Sequence, residues 1–122
     1  MDDAYLFDTY ALVEIIKGNS NYAGFKHSRA VITIFNLVEL HYILLRDFNE
    51  EIASRILNEY EDYIIDTDIE TIKEANEFKL LHRAKSLSFT DAVGFVSAQR
   101  CGLRFLTGDR QFKGMKGVEF VK

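Results

Sequence analysis

Apolar residues fall in short dense runs separated by longer stretches of helical periodicity, and the two kinds of segment alternate along the chain. Ala4-Tyr5-Leu6-Phe7 is the first run; it stops at Asp8 and gives way to Leu12, Val13, Ile15 and Ile16, a helical spacing closed by Gly18-Asn19-Ser20. Residues 19–29 are poorly patterned and read as a loop or short helix. Ala30-Val31-Ile32-Thr33-Ile34, rich in β-branched side chains, is a second strand, followed by helices over about 36–48 and 49–62. Tyr63-Ile64-Ile65 is a third short strand, with a helix over about 68–85 after it. Ser88 opens a helix through Phe89, Val93, Phe95, Val96 and Ala98, and Gly102 ends it as a left-handed cap. Residues 103–106 and 118–121 supply the fourth and fifth strands. Short strands alternating with helices predict an α/β fold, a three-layer α/β/α sandwich around a parallel five-stranded sheet. No proline, repeat or low-complexity linker interrupts the pattern, so residues 1–122 read as one domain.

Composition narrows the class without naming a chemistry. Apolar residues at 48% and charged residues at 28% describe a soluble globular chain rather than a disordered one. The single cysteine, Cys101, excludes an internal disulfide framework; near a helix end, with no nucleophile partner beside it, it is expected to be a packed thiol. His27, His41 and His82 lack zinc-ligand spacing. Asp2 and Asp3 carry the wrong charge for a signal peptide, and no apolar run approaches the roughly 18 residues of a membrane span, so no membrane role and a reducing cytoplasm are expected.

The net charge of −4 conceals a division of the chain. Residues 1–78 hold 6 basic against 16 acidic side chains, whereas residues 79–116 hold 8 basic against two acidic. A basic C-terminal third suggests an anionic partner such as nucleic acid, although an unevenly charged solvated surface explains it equally well. Lys79, Arg83 and Lys85, spaced by four and two on a helix reaching residue 85, do not share one narrow stripe. Arg110 is the basic residue best placed to meet a bound phosphate or to pair with a neighbouring acid. Tyr5, Phe7, Phe89 and Phe95 read as core rather than as base-stacking platforms.

Four acids occupy the positions where an open α/β sheet does its chemistry, the crevice beyond the carboxyl ends of its strands. Asp8 ends the first apolar run, Glu39 lies in the first turn of the helix after the second, Asp109 follows the fourth by three residues, and Asp91 sits in the first turn of its helix. Each also has an ordinary explanation. Asp8 can cap the helix at Thr9, Asn36-x-x-Glu39 and Ser88-x-x-Asp91 match capping boxes, and Gly108-Asp109 can be a turn. Their joint placement favours a site. Glu39, in a helix apolar nearly all round, is expected to be substantially buried. Four carboxylates in one pocket repel unless some are protonated or a cation sits among them, and all-oxygen donors select Mg²⁺ or Mn²⁺. Such an ion activates water for in-line displacement at phosphorus.

Leu6-Phe7-Asp8-Thr9, Asn36-Leu37-Val38-Glu39-Leu40, Ser88-x-Thr90-Asp91-Ala92 and Leu106-Thr107-Gly108-Asp109-x-x-Phe112 together resemble the PIN-domain family, nearest its VapC-like ribonuclease toxins. The resemblance runs in order over essentially the whole chain. It implies a Mg²⁺- or Mn²⁺-dependent endoribonuclease of RNA, commonly a homodimer held silent by a small antitoxin of the VapB type. Carried over, Asp8, Glu39 and Asp91 become the core metal-binding acids, Asp109 the fourth acid, and Thr107 a hydroxyl supporting the metal or its water. Tyr10 stands where a smaller Ser or Asn is common, which bears on access to the pocket. The apolar excess of the 36–48 helix fits either a second protein chain or cover by the 49–62 helix.

Two other function classes compete. A non-catalytic PIN-like module binding RNA or protein keeps the fold but needs no acids, and here all four positions are filled. A phosphorelay receiver needs an acidic pair after the first strand, whereas Asp2 and Asp3 precede it.

Overall fold

The computed structural model describes residues 3–122, so Asp2 of the acidic pair lies outside the described residues. Its strands are β1 (Ala4–Phe7), β2 (Arg29–Thr33), β3 (Ile64–Ile65), β4 (Arg104–Thr107) and β5 (Val118–Phe120), paired in parallel in the order β3-β2-β1-β4-β5. The chain builds outward from β1 to one edge through β2 and β3, then returns to β1's other side with β4. The order therefore reverses between β1 and β4, the switch point at which an open sheet leaves a crevice.

Five helices cover the sheet: α1 (Thr9–Lys17), α2 (Ile34–Asp47), α3 (Glu50–Tyr60), α4 (Ile69–Leu81) and α5 (Phe89–Cys101). Alternation along the central strands decides which face each residue buries. Phe7 and Leu106 pack with Leu12, Leu37, Leu40, Leu44 and Ile56 from α1, α2 and α3. Leu6 and Phe105, one residue earlier on each strand, pack on the opposite face with Phe95 and Ala98 of α5 and with Phe112. Both faces are thus dry over Leu6-Phe7 and Phe105-Leu106, which explains the consecutive apolar residues there, while Arg104 at the start of β4 stays exposed. Residues 20–27 form 3₁₀ turns whose Tyr22 is fully buried. Among the described residues no helix is long and apolar enough to cross a membrane.

Local chemistry fixes the helix ends. Gly18 and Gly102, with φ of 79° and 68°, close α1 and α5 in the left-handed region that side chains resist. Ser88 and Asp91 form the expected capping box of α5. The box of α2 lies one turn earlier than the sequence suggests: Thr33 is the cap and Asn36 its partner, so Glu39 stands in the helix's second turn. Helix α4 ends at Leu81 rather than near 85.

Phe7 and Phe95 are buried, while Tyr5 and Phe89 are half-buried and set edge-on against Phe25 and Phe35. Cys101, expected to be packed, is exposed: it is the last residue of α5, beyond Ala98, where the helix's burial ends. Helix α2 is not buried all round either. Leu37, Leu40 and Leu44 enter the core beside α3, but Ile34, Val38, Tyr42, Leu45 and Phe48 remain exposed.

Candidate functional site

The switch point brings β1 and β4 side by side, with Phe7 opposite Leu106, so the residues after them meet. Asp8, first beyond β1, is 3% exposed, and its amide donates to the Leu106 carbonyl. One carboxylate oxygen accepts from the Thr9 amide at 2.9 Å, which makes Asp8 the cap of α1, as a capping reading requires. The other accepts from the Thr107 hydroxyl at 2.7 Å. Capping and site formation are therefore the same geometry at this residue.

Three further acids reach the same place. Glu39 is half-buried, less than an all-apolar helix implied, because its neighbours Val38 and Tyr42 lie open. Its Oε1 accepts from the Thr9 hydroxyl at 2.8 Å, and that hydroxyl in turn accepts from Asn36 Nδ2 at 3.1 Å. Asp91 Oδ2 accepts from the Ser88 amide at 2.9 Å, which turns the carboxylate toward the amino end of α5. Asp109 begins a short 3₁₀ turn, its Oδ1 accepting from the Gln111 amide at 3.0 Å.

Asp8, Glu39, Asp91 and Asp109 together line one cleft of about 460 Å³, joined there by Thr9, Tyr10, Arg110 and Lys122. Thr107 stands just beneath the cleft, fully buried. A larger hollow of about 620 Å³ lies between Phe25, Tyr60 and Ile64, but it contains none of these four acids and its own, Glu59 and Asp62, are exposed. Size alone does not make chemistry; convergent carboxylates do.

The electrostatics follow from crowding. Burial, and after it the negative charge of Asp91, pushes the Asp8 carboxyl up to about 7, against the opposing pull of its Thr107 and Thr9 hydrogen bonds. Burial also raises Asp91, with Asp109 and Glu39 adding to the effect while Ser88 works against it. None of the ion pairs among the described residues involves the four acids. Negative charge thus accumulates with no ion pair to neutralise it, although Arg110 and Lys122 stand at the rim of the cleft, and such a cluster favours uptake of a cation. Among the described residues no three His, Cys, Asp or Glu side chains draw together into a ready-made cage. Mg²⁺ keeps several waters and needs only one or two carboxylates.

Two features escaped sequence reasoning. Lys122 lines the cleft with its ammonium 5.2 Å over the Tyr10 ring and within 3.4 Å of the Gly108 carbonyl. A lone lysine beyond the last strand carries no motif. Asn36, fully buried, ties Thr33 to Thr9 and so positions Glu39 indirectly. The Thr33-x-x-Asn36 spacing held that signal, overlapping the Asn36-x-x-Glu39 one.

A model of the PIN domain matches residues 5–118. A comparison with curated proteins found no match. Several solved structures are similar. VapC20 of Mycobacterium tuberculosis, described as a sarcin–ricin-loop-cleaving toxin, is 15% identical with a TM-score of 0.80, covering 97% of this chain and 99% of that one. A toxin–antitoxin complex from Klebsiella pneumoniae is 19% identical with a TM-score of 0.75, covering 94% and 95%. DNA-bound VapBC from Salmonella typhimurium is 18% identical with a TM-score of 0.71, covering 98% and 97%. At these identities the likeness is one of fold.

Proposed function

This chain belongs to the PIN-domain family, and from that premise we propose that it is a metal-dependent endoribonuclease acting as the toxin of a VapBC-type pair. The observation that carries the reading is the convergence of Asp8, Glu39, Asp91 and Asp109, from four separate segments, on one cleft at the sheet's switch point. The toxin–antitoxin character of the similar structures supports it.

The donor set is all oxygen and suits Mg²⁺ or Mn²⁺ held by the four acids. Bound there, such an ion supplies a Lewis acid and a more acidic water for attack at phosphorus. The chain's own groups do the positioning. Thr107 and the Thr9 amide hold the two oxygens of Asp8, the Thr9 hydroxyl holds Glu39, and the Ser88 amide holds Asp91. Arg110 and Lys122 border the acids and offer positive charge to the phosphate that must enter among them.

A small antitoxin protein and a second copy of the chain are the partners that accompany this reading, and a cytoplasmic site of action goes with it. The exposed apolar residues of α2 support a protein partner, because such a stripe is seldom left in water.

The test is cleavage of single-stranded and structured RNA with Mg²⁺ or Mn²⁺, with EDTA and Asp8→Asn as controls. Cleavage dependent on both the metal and Asp8 is expected. Cleavage that persists in both controls sinks the reading, and a calorimetric Mn²⁺ titration that shows no binding points to a non-catalytic binding module instead.

A further inference from the structure

We propose that a second, basic groove at the carboxyl end of α4 binds the RNA backbone away from the carboxylate cleft, through Lys79, Arg83 and Lys85. The groove, of about 310 Å³, is lined by Asn76, Lys79, Leu80, Arg83, Lys85 and Leu87. Half of its lining is cationic and none is acidic. On a helix continued to residue 85, Lys79 and Arg83 would share a face and Lys85 would point away from it. The early end of α4 changes this: the amide of Arg83 turns back to the Leu80 carbonyl and that of Lys85 to the His82 carbonyl. The resulting turn curls Arg83 and Lys85 around the same hollow as Lys79.

Charge accounting favours an anion there. Of the basic third of the chain, Arg100 and Arg104 are already engaged by Asp68, Glu74 and Glu119. Lys79, Arg83 and Lys85 belong to none of the ion pairs among the described residues. Arg83 gives one donor to the Leu80 carbonyl and Lys85 one to the Gln111 carbonyl at 2.8 Å, which pins their stems and leaves further N–H groups free. Basic residues at a helix end ordinarily just offset its dipole. That end carries about half a negative charge, however, against three full positive ones here. The surplus is what a run of phosphates neutralises.

The groove is also wired to the cleft. Gln111 accepts from the Ser86 amide through Oε1 at 2.6 Å, and its own amide donates to Asp109 Oδ1 at 3.0 Å. One residue thus fixes the 82–88 turn relative to the Asp109 turn. A polyanion held at one end is presented at a set position to the other. Naming RNA as that polyanion rests on the ribonuclease reading; the groove and its charge do not.

The test is binding of a fluorescently labelled single-stranded RNA oligonucleotide to the full chain in EDTA, where no cleavage occurs, at about 50 to about 200 mM salt. Replacing all three cations by Gln is expected to weaken binding at least about tenfold and to reduce the salt slope by about 2. Lys79→Gln, whose side chain makes no hydrogen bond to the backbone, is expected to lower the slope by about 0.7, and guards against misfolding of the triple variant. Unchanged affinity and slope in the folded variants overturn the proposal. Charge-dependent binding to phosphatidylserine vesicles with RNA binding unaffected overturns it too, in favour of a membrane surface. Groove-dependent RNA binding by a chain that cleaves no RNA upholds the groove and removes the ribonuclease reading alone.

Discussion

Thr107 and Asp8 lie 99 residues apart in sequence, yet the threonine hydroxyl donates to Asp8 Oδ2 at 2.7 Å across the β1–β4 junction. The same oxygen of Thr107 accepts from the Asp109 amide at 3.0 Å. One fully buried hydroxyl therefore ties together two of the four acids. Thr107→Val keeps the shape and removes both bonds. It is expected to cost about 1–2 kcal/mol in urea unfolding at pH 8. Because the Thr107 bond pulls the Asp8 carboxyl downward, its loss also moves the pH midpoint of Mn²⁺ binding upward. A midpoint that stays in place would show that the bond does not govern the acid.

Asp8 opposes folding of the metal-free chain at neutral pH. Its carboxyl, near 3.8 when unfolded, titrates at about 7 when folded. Between those values the folded state holds a proton that the unfolded state has released, so stability falls as pH rises from about 4 to about 7. Asp8→Asn removes that penalty. Its melting temperature in EDTA is expected to exceed wild type by several degrees at pH 8, on the order of a few kcal/mol, and to match it below about pH 4. Added Mn²⁺ reverses the ranking at pH 8, since the ion stabilises only a chain that binds it. A variant that is less stable than wild type at pH 8 in EDTA contradicts this account.

Gly108 is required by close approach rather than by backbone angle. A Cβ there meets the Val121 carbonyl oxygen at 2.5 Å and collides with the Tyr10 ring. Tyr10 can swing aside; the Val121 backbone, whose amide is bonded to the Thr107 carbonyl, cannot. Gly108→Ala is expected to cost about 1–3 kcal/mol by overpacking. Tyr10→Ala is expected to restore less than half of that in a double-variant urea series. Full rescue would place the whole clash on the ring.

Most of this architecture was legible because the central strands β1 and β4 are buried on both faces at Leu6-Phe7 and Phe105-Leu106 and so carry consecutive apolar residues. The acids after β1 and β4 followed from strand position, and Ser88-x-x-Asp91 from its cap. What stayed hidden depends on side chains competing for backbone groups. Helix α4 has no glycine or proline to mark its end. The His82 ring nitrogen meets the Phe78 carbonyl and the Arg83 guanidinium the Leu80 carbonyl, satisfying the last turn in a way periodicity does not register. At α2, two overlapping capping spacings shared Asn36, and only burial against Thr9 decides between them.

That overlap separates two residues one helical turn apart. Asn36 accepts from the Thr33 amide at 2.9 Å and donates to the Thr9 hydroxyl at 3.1 Å with no exposure to water. Removing it strands buried partners and the cap of α2 together, so Asn36→Ala is expected to cost about 2–4 kcal/mol. Glu39 makes one bond, as acceptor from Thr9, and is half-buried. Glu39→Gln keeps that acceptor and removes only a charge, so stability is expected to stay within about 0.5 kcal/mol. The effects on function run the other way. Mn²⁺ affinity by calorimetry and RNA cleavage should fall by at least about a hundredfold in Glu39→Gln. In Asn36→Ala the residual folded protein should keep measurable metal binding, because the carboxylates remain. Equal losses of stability in the two variants, or a Glu39→Gln that binds Mn²⁺ normally, would mean that Glu39 belongs to the scaffold of α2 rather than to the site.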